Sequence, residues 1–60
     1  MKLIKKGFNE NDGKWYELIE DDNFNTFKFR IVDDNDNVIN RFKRQNIAER
    51  EFDVMVSWSI

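Results

Sequence analysis

Phe52, Val54, Val56, Trp58 and Ile60 take every second position at the end of the chain, with Asp53, Met55, Ser57 and Ser59 between them. A period of two belongs to a strand with one buried and one wet face. Read this way, residues 52–60 form a strand that closes a β core. The pattern constrains the fold more than any other stretch. It specifies no chemistry.

The 60 residues make one domain, 1–60, near the lower limit for independent folding. Cysteine and histidine are both absent, so neither a disulfide nor a structural zinc can staple the fold. Stability must come from apolar packing or from a second subunit. Six Phe, two Trp and one Tyr supply the area, because aromatic rings bury the most surface per residue.

Proline is absent as well, which leaves every backbone N–H free to join a ladder. Strands are expected at 2–8, 14–20, 24–32, 38–43 and 52–60. Asp12-Gly13 marks the first turn, since glycine accepts positive φ and aspartate tolerates it. Polar turns at 20–23 and 33–37 separate the next strands. In the third strand, Phe27, Phe29 and Ile31 face one way, Lys28 and Arg30 the other. Residues 44–51 break the alternation. Ile47 and Ala48 stand there among polar neighbours, which predicts one helical turn. That turn is too short to cover a sheet, so curling is the expected way to hide its apolar face. The expected fold is mainly β: a five-stranded antiparallel meander curled into an SH3-like barrel, with one short helical turn before the last strand. SH3-like describes the architecture and carries no function.

Net charge −2 and a pI near 5.0 exclude a wholly basic nucleic-acid binder. A local basic patch is still allowed. The start, Met1-Lys2-Leu3-Ile4-Lys5-Lys6, lacks the apolar stretch of roughly seven residues that a signal peptide needs. No run approaches the roughly 18 apolar residues of a membrane span. A cytoplasmic location without membrane contact is the expectation.

Candidate chemistry is thin. Ser57 and Ser59 have no imidazole or thiolate partner in the sequence to activate or replace them. Glu17, Glu20, Asp21 and Asp22 gather around an exposed turn. Acid–base work needs a carboxylate buried in a cleft, and an exposed turn does not provide one. Asp33, Asn35 and Asn37, like Asp21, Asn23 and Asn25, open as calcium loops do. Val38 and Thr26 then stand where glycine is required, and Arg44 and Val32 where glutamate is. Asx-rich hairpin loops fit these runs better. Neither glycine opens a phosphate cradle. The expectation is no enzymatic activity, no cofactor and no metal.

What remains is a surface. Lys28 and Arg30 leave one side of the third strand, and Arg41, Lys43 and Arg44 lie on or just past the fourth. If Phe29 stands opposite Phe42, Arg30 faces Arg41 and Lys28 faces Lys43. The other register spreads these charges over both faces. Phe-on-Phe packing favours the first, at the cost of like charges in opposition. Trp15 and Tyr16 are adjacent, so one of them must point outward. Trp15, Tyr16, Lys28, Arg30, Arg41, Lys43 and Arg44 are therefore the candidate partner-binding set.

Trp, Tyr and Arg are the usual anchors of protein interfaces. The leading expectation is a small protein-interaction module: an adaptor, inhibitor or subunit whose partner is another protein. A chain rich in Asn, Asp, Lys and Ile also suits a phage or mobile-element gene, for which blocking a host protein is a natural role. The alternative is a nucleic-acid-binding barrel whose basic strand face tracks phosphates. A homodimer through a sheet edge or an aromatic face is compatible with both.

Overall fold

The computed structural model describes residues 1–23 and 25–57. Its strands are β1 Lys2–Asn9, β2 Lys14–Glu20, β3 Phe29–Asp33 and β4 Val38–Phe42, followed by helix α1 Gln45–Ser57. The strands form one antiparallel sheet in chain order.

Asx side chains shape two of the connections. Gly13 has φ 68° and donates its N–H to the Asn9 carbonyl at 2.8 Å. Asn9 Oδ1 accepts from the backbone of Asn11 and Asp12 at 2.8 and 3.3 Å. In the β3–β4 loop Asp33 Oδ1 accepts from the N–H groups of Asn35 and Asn37, both at 2.9 Å. Asp36 adopts φ 64° there, a region open to aspartate. Side chains thus satisfy backbone groups that the ladder leaves over.

The register brings Phe29 opposite Phe42 and Arg30 opposite Arg41, as Phe-on-Phe packing favours. A bulge then pairs Val32 with Val38 and leaves Ile39 as the extra residue. A second bulge lies between Leu3 and Lys5. It lets Ile4 pack at the core while Lys5 also reaches the helix.

The C-terminal strand is not there. Residues 52–57 belong to α1; Trp58, Ser59 and Ile60 lie outside the described residues. The buried stripe runs Ala48, Phe52, Met55, Val56, spaced four, three and one. That is a helical face. Phe52 and Val56 satisfy either period. Val54 and Met55 decide: Val54 is 58% exposed, while Met55, on the wet side of the strand reading, packs on the core. The helix start is also unsignalled. Arg44 occupies the cap and its carbonyl accepts from Ala48 N–H at 3.0 Å; Ser, Thr, Asp or Asn would have announced it.

A helix of 13 residues covers a small sheet without curling. The fold is therefore an open four-stranded sheet with one helix on it, not a closed five-stranded barrel. The third strand is also shorter than 24–32. It starts at Phe29, and Phe27 lies exposed ahead of it. Phe24 is outside the described residues.

The core joins Tyr16, Leu18, Phe29 and Ile31 of the sheet to Ala48 and Phe52 of α1, with Ile4, Phe42, Met55 and Val56 at its border. The helix approaches β1 closely because Gly7 has no side chain: a Cβ there would sit 2.8 Å from Val56 Cγ1. Buried Asn9 also donates from Nδ2 to the Met55 carbonyl at 2.8 Å, satisfying one of the carbonyls that every helix end leaves over. Lys5 Nζ spans Asp53 at 3.0 and 3.1 Å and Glu49 at 3.5 Å. The Asp53 hydrogen bond, more than Glu49, raises the Lys5 pKa.

Candidate binding face

Side chains alternate across a strand, so the sheet has a second side, away from α1. Pairing arranges it in cross-strand rows. Phe8 stands beside Trp15; Lys6, Glu17, Val32 and Val38 form the middle row; Leu3, Ile19, Arg30 and Arg41 form the third. No element among the described residues covers these rows.

Trp15 is 49% exposed with Phe8 exposed beside it, and Leu3, Val38 and Ile39 are exposed elsewhere on this side. The Trp15 ring is not loose. Phe8 meets it edge-on with centroids 5.2 Å apart, and Lys6 Nζ lies 5.3 Å over its ring. Lys6 also pairs with Glu17 at 3.9 Å. Such contacts hold an aromatic anchor in place before any partner arrives. Ile19 and Val32 are buried although they sit on this side. They line a shallow depression of about 330 Å³ whose rim carries Arg30 together with Glu17, Asp21 and Asp36. The stems of long side chains, rather than a second layer, shield them.

The two ends of this face differ in charge. At one, Arg30 stands directly opposite Arg41. Phe27 lines the same depression as both, and Lys43 Nζ lies 5.3 Å over its ring. At the other end Asp34 and Asp36 share a depression of about 290 Å³ with Lys6 and Trp15. Between them the Lys6–Glu17 ion pair and the apolar pair Val32 and Val38 share the middle row.

The seven sequence candidates do not all assemble. Trp15, Arg30 and Arg41 lie on the open face, and Lys43 joins its basic end through Phe27. Tyr16 does not belong to the surface: it is core, and its hydroxyl donates to Asp12 Oδ2 at 2.6 Å. That hydrogen bond, then burial, pushes its pKa up to about 12. Lys28 turns toward Glu20 at 3.9 Å and over the Phe29 ring at 5.7 Å. Arg44 sits ahead of α1. Leu3, Phe8, Phe27 and Ile39 were absent from the candidate set. A signal for the two on β1 existed, since β1 and β2 carry apolar residues on both parities: Leu3 with Ile4, Trp15 with Tyr16, Leu18 with Ile19.

Asp33 is committed to its own loop. The Asn37 N–H first, then the Asn35 N–H and the Asn37 side chain, hold its carboxyl below the usual range against an opposing effect of burial. Among the described residues no group of three or more acidic side chains could hold a metal ion. No helix among them is long and apolar enough to cross a membrane. Comparison with protein-family models, curated proteins and solved structures gives no match.

Proposed function

We propose that this chain is a small non-enzymatic protein-binding module that works through the open face of its sheet. One observation carries the reading. Trp15, braced by Phe8 and Lys6, stands half exposed on a sheet face that no element among the described residues covers, and Leu3, Val38 and Ile39 are exposed on the same face. Apolar residues scattered singly over a surface mean little, but an exposed tryptophan held in place by its neighbours on an uncovered sheet is the kind of anchor that interfaces use. An adaptor, a subunit or an inhibitor of a host protein, the last suiting a phage or mobile-element product, would all act this way.

The test is comparative capture. Immobilised wild type, Trp15→Ser and Arg50→Ser, the last changed on an exposed position of α1, are exposed to one lysate. A protein held by the first and third but lost by the second, and then bound directly when purified, supports the reading. Equal recovery on all three, or none, counts against it.

A second reading, nucleic-acid binding, is favoured by Phe27. It lies among Arg30, Arg41 and Lys43, the mixture of stacking ring and cations that single strands use. Binding should be strongest near about 50 mM salt and fall steeply above it. No mobility shift at that salt removes this reading.

A further inference from the structure

We infer that Asp12–Gly13 is a self-modification site. The Asp12 carboxyl closes on the next backbone nitrogen and reopens as isoaspartate, at a rate set by how firmly the first hairpin turn is held shut. This is independent of what binds the open sheet face.

Asp12 is the one Asp or Asn in the chain that precedes a glycine, and both residues of the pair are exposed. The chemistry needs that neighbour. The Gly13 nitrogen attacks Asp12 Cγ and a C–N bond forms. The protonated carboxyl loses its hydroxyl, the nitrogen loses its hydrogen, and the two leave as water. A side chain on the following residue would crowd the attack, and glycine has none. Water then adds to the five-membered imide. When it breaks the bond between the nitrogen and the former main-chain carbonyl carbon, the main chain runs through Cβ and Cγ, and the old carbonyl becomes a free carboxylate. The water lost in the first step returns in the second, so no other reactant is required.

In the folded chain each group that must move is held. Gly13 N–H donates to the Asn9 carbonyl at 2.8 Å, which engages the hydrogen that has to leave. Asp12 Oδ2 accepts from the Tyr16 hydroxyl at 2.6 Å, and Asp12 N–H donates to Asn9 Oδ1 at 3.3 Å. Asn9 is itself anchored: it is buried, and its Nδ2 donates to the Met55 carbonyl of α1 at 2.8 Å. The turn is thus tied to the core through Tyr16 and to the helix through Asn9. Ring closure waits for the turn to open, so its rate follows the population of the opened turn. Isoaspartate then puts an extra carbon into the main chain between the two residues. An aged chain does not regain the native turn.

Wild type, Tyr16→Phe and Gly7→Ala are aged at physiological pH. Electron-transfer fragmentation of the tryptic peptide 7–14 tells isoaspartate from aspartate at position 12. Wild type unfolded in denaturant gives the unguarded rate and should age fastest, and folded wild type slowest. Losing one hydrogen bond to a carboxylate shifts an opening equilibrium about 5- to 30-fold, and Tyr16→Phe should age faster than wild type by about that factor. Gly7→Ala disturbs the contact with Val56 instead and keeps the bonds of the turn. With denaturant added until the three chains are equally stable, Tyr16→Phe should still age fastest. Equal rates at equal stability would overturn the guarding role of the turn. So would a folded wild type that ages as fast as the unfolded chain, and an unfolded chain without isoaspartate at Asp12 overturns the site itself. Should Tyr16→Phe not fold, amide hydrogen exchange of the wild type decides. Gly13 N–H should be protected, and denaturant too dilute to unfold the sheet should speed its exchange and the ageing in step. A Gly13 amide that exchanges as freely as in the unfolded chain contradicts the inference.

Discussion

The two sides of this one sheet hold comparable apolar residues and treat them differently. Toward α1, Tyr16, Leu18, Phe29 and Ile31 are sealed by Ala48 and Phe52. On the other side, Leu3, Phe8, Trp15, Val38 and Ile39 stay exposed, and Ile19 and Val32 are shielded only by neighbours of their own sheet. The sealed side shows what one 13-residue helix can cover. The bare side shows what it leaves over. Among the described residues no second helix lies on that side, so that face is solvated or shared.

Substitutions on the two sides should therefore differ most in stability. Phe52→Ala leaves a cavity where the helix plugs the core and should cost about 3–5 kcal/mol. Small domains hold only about 0.05–0.15 kcal/mol per residue, so circular dichroism should show a largely unfolded chain. Gly7→Ala comes next. The new methyl meets stiff, β-branched Val56, and overpacking of this kind costs about 1–3 kcal/mol. Adding Val56→Ala should recover much of that loss in urea titrations, and strict additivity of the two would deny the contact.

Tyr16→Phe removes a hydrogen bond to a carboxylate and should cost about 1–2 kcal/mol at neutral pH. It also tests an alkaline dependence. The native phenol ionises at about 12 against an ordinary 10.0, so unfolding releases a proton above pH 10. The stabilisation should be complete below 10 and lost as pH rises toward 12. The Phe variant should lack this loss. Asp33 works in the opposite direction: its contribution is present above the ordinary 3.8 and disappears as pH falls through its lower native value. Asp33→Asn should flatten the acid limb of the stability curve. Smallest is Trp15→Ser on the bare side. It should cost about 1 kcal/mol, from the Phe8 and Lys6 contacts its ring makes, while abolishing binding.

The hairpins were legible because their signals are local. Asp12-Gly13 set the first turn, β2 ran over the expected 14–20, and Phe29 chose Phe42. The helix was not legible in a nine-residue window, since Phe52 and Val56 fit a period of two as well as one of 3.6. Extending the window back to Ala48 separates the two, but Arg44 gave no cap to prompt it. Losing the helix also misplaced the site. Leu3 and Phe8 have opposite parity in an unbroken strand, and only the bulge between Leu3 and Lys5 brings both to the side the helix leaves open. Tyr16 was lost from the surface for the same reason that Trp15 was found on it: in a strand, neighbours cannot share a face. Phe27 could be placed only once β3 was seen to begin after it.

The central claim is that the C-terminal segment is a helix covering one side of the sheet and leaving the Trp15 side bare. Nuclear Overhauser contacts in the monomeric chain at low concentration test it directly. Successive amide–amide contacts along Gln45–Ser57, with the Phe52 ring against Leu18 and Ile31 and never against Ile19 or Trp15, are the predicted result. Cross-strand contacts between residues 52–57 and a neighbouring strand, or the Phe52 ring lying against Trp15, would contradict it.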